Sequence, residues 1–435
     1  MGQGLAFHAA PPDGHWINDP NALLFADGRY RLFAQHRSDA PEFQATGWAR
    51  FSSSNLVDWS FDGAVIPPDG DRWAYSGSVF VRNGRLEAFH TEHYGGLQRQ
   101  LRRTSRDGGL HWTDGEPVGP PPARNSRDPF LFFNAATADW RMLLARPCDW
   151  NDWRGGARSE LMLLRSDGHL RDWEQVGRIG PWAPEGVLWE VPLLIPGRDC
   201  HVLIVSVVDR RRGGASSSVS YWFGRFDGSA FNMHDGEPPE GRLLDLGPDF
   251  YAAMISSPSN WPTMGPLLVG WLGNWETARR IEWPGFSGGP ISIPRMLDID
   301  WPRRRLVQHP AREVRGQFVC RSETAQLAGL ASAGGLGNDF ILRIEAAGGM
   351  VTISQSGPIV TVERTGSALL HWNAVHRLSA PADRFALFFD GPALELFLEP
   401  SGQCCSIVLP NGGRPFRMRL ECGGIERPLA YHSFA

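Results

Sequence analysis

The stretch His15-Trp16-Ile17-Asn18-Asp19-Pro20-Asn21-Ala22 concentrates groups that a plain strand end has no use for. An acid leads straight into a proline, and the residue before a proline is held extended, so the Asp19 carboxylate is aimed in one direction. Asn18 and Asn21 can fix its flanks by side-chain-to-backbone hydrogen bonds. A carboxylate held in this way can act as a nucleophile, a general acid or a general base. Two later acids, Asp128 in Arg127-Asp128-Pro129 and Glu190 in Trp189-Glu190-Val191-Pro192, also stand close to prolines. Taken singly, Asn-Asp-Pro-Asn fits an Asx turn closing a hairpin, and Arg-Asp-Pro a surface turn.

What would unite these acids is the element pattern. From the N-terminus to about residue 300, short apolar runs alternate with Gly, Asp, Asn and Pro turns, and convincing amphipathic helices are missing, which is an all-β pattern. A loose repeat punctuates it: Ser54-Asn55-Leu56-Val57-Asp58-Trp59, then Ser105 to Trp112, then Ser166 to Trp173, and a weaker copy from Phe226 to Phe231. The closing aromatics lie 53, 61 and 58 residues apart, too far for a hairpin and suited to a four-stranded propeller blade. About 300 residues at that period make about five blades. The innermost strands of a propeller line a central channel. Asp19, Asp128 and Glu190 are 109 and 62 residues apart, about two blades and one blade, so they can share one funnel.

The run Trp301 to Pro310, with prolines bounding an arginine cluster, reads as a connector whose charges face solvent or the other domain. Phe340 to Glu345 and the hairpin Phe385 to Glu399, turning at Asp390-Gly391-Pro392, read as strands of a β-sandwich. The glycine- and alanine-rich run from Gln326 to Asn338 reads as a loop within it. The expected division is a five-bladed propeller over 1–302, a linker over 303–317 and a sandwich over 318–435.

Composition excludes several classes. The 435 residues carry a net charge of -4, with no basic surplus to neutralise phosphates, so a nucleic-acid partner is not expected. All 43 basic residues are arginine, which excludes Schiff-base lysines and phosphate-loop lysines. The six cysteines, Cys148, Cys200, Cys320, Cys404, Cys405 and Cys422, form no CxxC pair, so structural zinc is not expected. His90-Thr91-Glu92-His93 reads as strand and not as the helix of a metal-binding HExxH. No run approaches the ~20 apolar residues needed to span a bilayer, and the first residues lack an export pattern. The expected compartment is the cytoplasm unless an export signal has been trimmed. Asp149-Trp150-Asn151-Asp152-Trp153 fits a loop over the funnel or an inter-strand turn. Ser206, His201 and Asp209 lack a nucleophile-elbow context and suggest no triad.

Read together, the motifs resemble glycoside hydrolase family 32, the invertase, inulinase and levanase group. They run in order from the Asn-Asp-Pro-Asn stretch through Leu32-Phe33-Ala34-Gln35-His36, Trp48, Tyr75-Ser76-Gly77-Ser78 and Arg127-Asp128-Pro129. Trp189-Glu190-Val191-Pro192, Asp249-Phe250-Tyr251-Ala252 and Trp271-Leu272-Gly273-Asn274-Trp275 complete the series. The resemblance implies a five-bladed propeller with its site at the channel mouth, a second β-sandwich domain, and a retaining mechanism without cofactor or metal. Asp19 would be the nucleophile, Glu190 the acid and then the base, and Asp128 the group that holds sugar hydroxyls in the transition state. Arg127 would pair with a carboxylate, and Asn18, Gln35, Trp48, Tyr75, Ser76, Asp249 and Trp271 would line the sugar pocket. The implied partner is a fructoside: sucrose, a fructo-oligosaccharide or a fructan, from which a terminal β-linked fructosyl unit is cleaved. A fructosyltransferase using the same intermediate and a non-catalytic carbohydrate-binding propeller are the alternatives, and the oligomeric state stays open. Asp19 is expected to stay ionised through neighbouring N–H donors, and Glu190, flanked by apolar Trp189 and Val191, to keep a proton to donate. Three positions depart from the family pattern: Ala22 for glycine, Arg50 for histidine and Val191 for cysteine.

Overall fold

The computed structural model describes residues 4–39, 42–147, 158–182, 184–211, 216–320, 328–366, 371–409 and 414–434. The Asp149 to Trp153 stretch and Cys148 lie outside these residues. Nearly every described element is a strand, and none of the described helices is long and apolar enough to cross a membrane.

The first blade is the antiparallel series Trp16–Ala26, Arg29–Arg37, Gly47–Ser53 and Ser60–Ile66. The second is Trp73–Arg82, Arg85–Tyr94, Leu97–Ser105 and Glu116–Ala123. The third runs Arg127–Asn134, Asp139–Pro147, Ser159–Ser166 and Glu174–Ile179. The fourth is Val187–Ile195, His201–Asp209, Ser216–Phe226 and Phe231–Met233. The fifth is Tyr251–Ile255, Leu267–Trp271, Arg295–Asp300 and Arg305–Pro310. The first strand of each blade touches that of the next, and the fifth returns to the first, so the ring is closed. Closure is stitched by backbone pairing of Trp16 and Ile17 with Ser287 and Gly288, and of Ala9 with Ile291. This is the expected five-bladed propeller.

The repeat in the sequence marks the turn between the third and fourth strands of a blade. Trp59, Trp112 and Trp173 each fold back to give the indole N–H to the carbonyl three residues earlier, at 3.1, 3.1 and 3.3 Å. Asn55, Asp107, Asp167 and Asp227 accept nearby backbone N–H groups in the matching turns, an Asx device that ends the third strand.

Among the described residues the sandwich has two six-stranded sheets. One is ordered Phe318–Cys320, Ala430–Phe434, Ala328–Gly334, Arg384–Asp390, Ala393–Glu399, Gln403–Val408. The other is ordered Trp372–Arg377, Ile359–Gly366, Gly349–Ser356, Asp339–Ala346, Phe416–Cys422, Ile425–Arg427. Phe340, Leu342, Ile344, Val351, Ile353, Val360 and Val362 face Leu387, Phe389, Leu394, Leu396 and Ile407 in a separate core, the alternation that strand periodicity demands.

Two expectations need correction. Within the expected linker, Arg305–Pro310 pairs with Arg295–Asp300 as the last propeller strand, and Arg305 also reaches Ser379 of the sandwich at 2.6 Å. Ala328–Gly334, expected as loop, is a central strand between Arg384–Asp390 and Ala430–Phe434. Its small residues let neighbours close in: a side chain at Gly329 would meet the His432 carbonyl and the Phe389 ring, so here glycine marks close approach and not a turn.

Candidate active site

All five innermost strands share an irregularity near their starts. In each, two residues face one on the neighbouring strand: Asn18 and Asp19, Tyr75 and Ser76, Asp128 and Pro129, Val191 and Pro192, Ala252 and Ala253. A β-bulge inserts one residue, bends the strand and re-aims a side chain. Prolines follow naturally at three of the five, because a bulged residue gives no ladder N–H. Asp128, Val191 and Ala252 lie in the left-handed region, with φ of +62°, +46° and +50°, a strain that surrounding structure must hold. Gly77, after the second bulge, has no room for a Cβ against the Phe89 carbonyl.

On the first blade the side chains form a relay. The Trp16 indole N–H donates to Asn18 Oδ1 at 2.9 Å, and Asn18 Nδ2 donates to Gln35 Oε1 at 2.6 Å and to Asp19 Oδ1 at 3.0 Å. Ser76 of the second blade gives its hydroxyl to Asp19 Oδ2 at 2.7 Å. The neighbouring N–H expected from the sequence is that of the Asn18 amide, and the Ser76 hydroxyl joins it from another blade. Burial outweighs them and pushes the Asp19 carboxyl up to about 6, which still leaves it ionised at neutral pH.

Asp128 is buried on the third blade. Its Oδ2 accepts the Val191 backbone N–H at 3.0 Å, and its own N–H donates to Thr91 Oγ1 at 3.0 Å. Burial first, then the nearby Glu190 charge, raise its carboxyl. Val191, where the family pattern has cysteine, thus contributes through its backbone.

Glu190 differs from expectation. Trp189 turns away to pack on Trp182 and Trp222, because neighbouring residues of a strand face opposite sides. The Glu190 carboxylate sits between polar partners: Arg127 Nη1 donates to Oε1 at 2.9 Å, and the Tyr251 hydroxyl donates to Oε2 at 2.7 Å. Arg127 is steadied by Asn125 at 2.6 Å and Gln98 at 3.3 Å.

Of the expected pocket residues, Asn18, Gln35, Ser76 and Arg127 join these networks, and Tyr75 stacks on His93 at 5.2 Å and Phe43 at 6.1 Å. Trp48 is fully buried and gives its N–H to the Tyr75 carbonyl at 3.0 Å, so it supports the second bulge from behind. Trp271 is likewise fully buried, edge-on to Tyr251 at 6.4 Å. Asp249 is withdrawn from the site: its carboxylate takes Arg364 and the Val408 N–H of the sandwich. Two residues later, Tyr251 supplies the group at the acid. Tyr251, on Glu190, and Thr91, on Asp128, are positions at the candidate site that sequence reasoning passed over. The motif containing Tyr251 was visible, but which member faces inward depends on where the strand begins. His90, in a strand as expected, accepts from Arg103 at 3.0 Å.

Comparison with known proteins agrees with this arrangement. Residues 8–310 match the family model of the glycosyl hydrolases family 32 N-terminal domain. The levanase of Bacillus subtilis (strain 168) is 29% identical over 329 residues, 70% of this chain. The aligned part spans just under half, 46%, of that relative. The sucrose-6-phosphate hydrolase of Klebsiella pneumoniae is 28% identical over 419 residues, covering 90% of this chain and 85% of that protein. The crystal structure of the exo-inulinase of Aspergillus awamori superposes with a TM-score of 0.76 at 21% identity, over 99% of this chain and 98% of that one. The model match, the propeller and the three converging acids agree: the chain belongs to glycosyl hydrolases family 32.

Proposed function

We propose that this protein is a retaining β-fructofuranosidase that cleaves a terminal fructosyl unit from sucrose, fructo-oligosaccharide or fructan. One observation carries the reading: Asp19, Asp128 and Glu190 come from three blades to one buried place with Arg127 as their cation. Asp19, ionised at neutral pH, supplies negative charge suited to the positive charge that develops on an oxocarbenium-like sugar, while Asp128, whose carboxyl burial and the Glu190 charge raise, can hydrogen-bond it. The names of the relatives, for levan, inulin and sucrose 6-phosphate, support a fructoside as substrate.

In this mechanism Asp19 Oδ attacks the anomeric carbon while Glu190 protonates the departing oxygen. Water, activated by Glu190 as base, then releases fructose and frees Asp19. Asp128, its backbone fixed by Thr91 and its Oδ2 by Val191 N–H, keeps one carboxyl oxygen for sugar hydroxyls. Arg127 and Tyr251 hold the Glu190 carboxyl in place, one on each oxygen.

The test is product analysis on sucrose, 1-kestose, inulin and levan, with Asp19→Ala and Glu190→Ala beside the wild type. Fructose released by the wild type and abolished in both variants is the expected result. Turnover that survives Asp19→Ala would remove the nucleophile from the reading. Glucose in excess of fructose at high sucrose would mean transfer to a sugar instead of to water.

A further inference from the structure

The route to Tyr251 runs along the sandwich. Propeller residues 245–249 lie against the edge strand Gln403–Val408: Leu246 N–H donates to the Cys404 carbonyl at 2.8 Å, and Asp249 N–H to the Ser406 carbonyl at 3.2 Å. In return the Ser406 N–H reaches Asp245 Oδ1 at 2.7 Å. Any side chain at Gly247 would strike the Ser406 carbonyl, so this approach requires glycine. Asp249 Oδ2 then accepts the Val408 N–H at 2.8 Å and the Nη1 of Arg364, which comes from the other sheet of the sandwich. Phe250 is capped by the Arg295 guanidinium at 4.2 Å from its ring centre, and Arg295 is itself bonded to Glu395, Ser406 and Asp245. The next residue is Tyr251, whose hydroxyl meets Glu190 at 2.7 Å.

A short piece of backbone, from Asp249 to Tyr251, thus joins a buried interdomain ion pair to a group on the reacting carboxylate. A buried ion pair stabilises little compared with an apolar contact of the same size, but here Arg364 Nη1 also donates to the Val408 carbonyl at 3.3 Å and the Val408 N–H shares Asp249 Oδ2, so the contact ties Asp249 to one place on the sandwich. Position matters here because the strained residue Ala252 follows Tyr251 at once. From this we infer that Arg364 is a positioning residue for the acid: by holding Asp249 it sets where the Tyr251 hydroxyl meets Glu190, and the sandwich becomes part of the propeller's catalytic apparatus. The inference rests on the reading of Glu190 as acid and base. The other charged or titratable groups facing Glu190 are Arg127 and Asp128 of the third blade, Asp19 of the first and Tyr75 of the second, and none is touched by Arg364 among the described residues.

The experiment is a double-mutant cycle on fructose release with Arg364→Gln, Tyr251→Phe and both together, each followed across pH. Arg364→Gln is expected to lower kcat about ten-fold, the scale of one hydrogen bond to a charged group, with KM within about two-fold. The alkaline limb should move to higher pH, because the carboxylate loses a donor to its charged form. In the Tyr251→Phe background the same change should cost almost nothing more, since its target is gone. Additive losses, or an unmoved pH profile, would reduce Arg364 to a structural role and overturn the inference. Should glutamine leave the protein unfolded, Arg364→Lys keeps a cation beside Asp249 and is expected to give a loss of about three-fold with the same direction of pH shift. Replacing Tyr251 by 3-fluorotyrosine supplies a readout independent of turnover: its 19F resonance should shift between the wild type and the Arg364→Gln variant, and an unshifted signal refutes the coupling. A wild type that releases no fructose but shows the shift would overturn the hydrolase reading and leave the coupling standing.

Discussion

Removing the Ser76 hydroxyl isolates the balance that governs Asp19. Burial raises this carboxyl from 3.8 to about 6, against the downward pull of the hydrogen bonds from Ser76 and Asn18. Ser76 is only 1% exposed, so alanine there leaves Asp19 Oδ2 without water as a ready substitute. A hydrogen bond to a charged acceptor contributes about 1.5–3 kcal/mol, and one pKa unit corresponds to about 1.4 kcal/mol. Ser76→Ala should therefore raise Asp19 by about one unit or somewhat more. A nucleophile must be ionised, and the kcat/KM profile reports the free enzyme. Wild-type activity should fall as pH drops through about 6, and the acid limb of the variant should lie about one pH unit higher. Near pH 5.5 this costs about ten-fold in kcat/KM, with a smaller loss near pH 8. The assay is initial-rate fructose release from sucrose between pH 4.5 and 8.5. An acid limb that stays in place, or moves down, would refute the assignment of that limb to Asp19. The same shift has a stability side. Because the folded protein holds the Asp19 proton more tightly than the unfolded chain, stability declines as pH rises from 3.8 to about 6, by about 3 kcal/mol in all.

Three further outcomes follow from buried groups. Burial pulls His8 down, but its hydrogen bonds to Asp390 and Glu395 and their charges more than offset this and hold it at about 9; its contribution is full below pH 6.5 and lost as pH rises through 9. Denaturation midpoints should fall over that window in the wild type and stay flat in His8→Gln, a contrast of about 3 kcal/mol. Arg295→Met leaves Asp245 buried without its cation and Glu395 with His8 alone and should destabilise the protein by about 3–5 kcal/mol, read as a lower midpoint in urea. Gly77→Ala should abolish fructose release with far-UV circular dichroism little changed, because the added methyl meets the Phe89 backbone behind the Ser76 bulge.

The blades were legible because their signals are local. Trp59, Trp112 and Trp173 close the same turn by the same indole bond, so the turn recurs wherever its few residues recur. The acids were legible because each is attached to a bulge whose proline or small residues write themselves into the sequence. Pockets behind the bulges were not. Trp48 and Trp271 have the composition of sugar platforms, yet both are fully buried supports, and composition does not distinguish a platform from the wall behind it. The glycine-rich run was misread for a related reason, since glycine serves both turns and close strand contacts.

By itself the sequence determined the all-β class, the number of blades and the family, and it singled out the three acids that the fold brings together, all of which rest on short-range periodicity and on motifs that travel as units. The tertiary structure decided which side of a strand each neighbour of those acids faces, and therefore that Glu190 meets Arg127 and Tyr251 while Trp189 turns away. It also decided that Asp249 belongs to a domain contact. Its partner Arg364 lies 115 residues further on, and no local rule reaches that far: a bulge changes the facing of every residue after it, and a charge finds its partner only when two separately folded sheets are brought into contact.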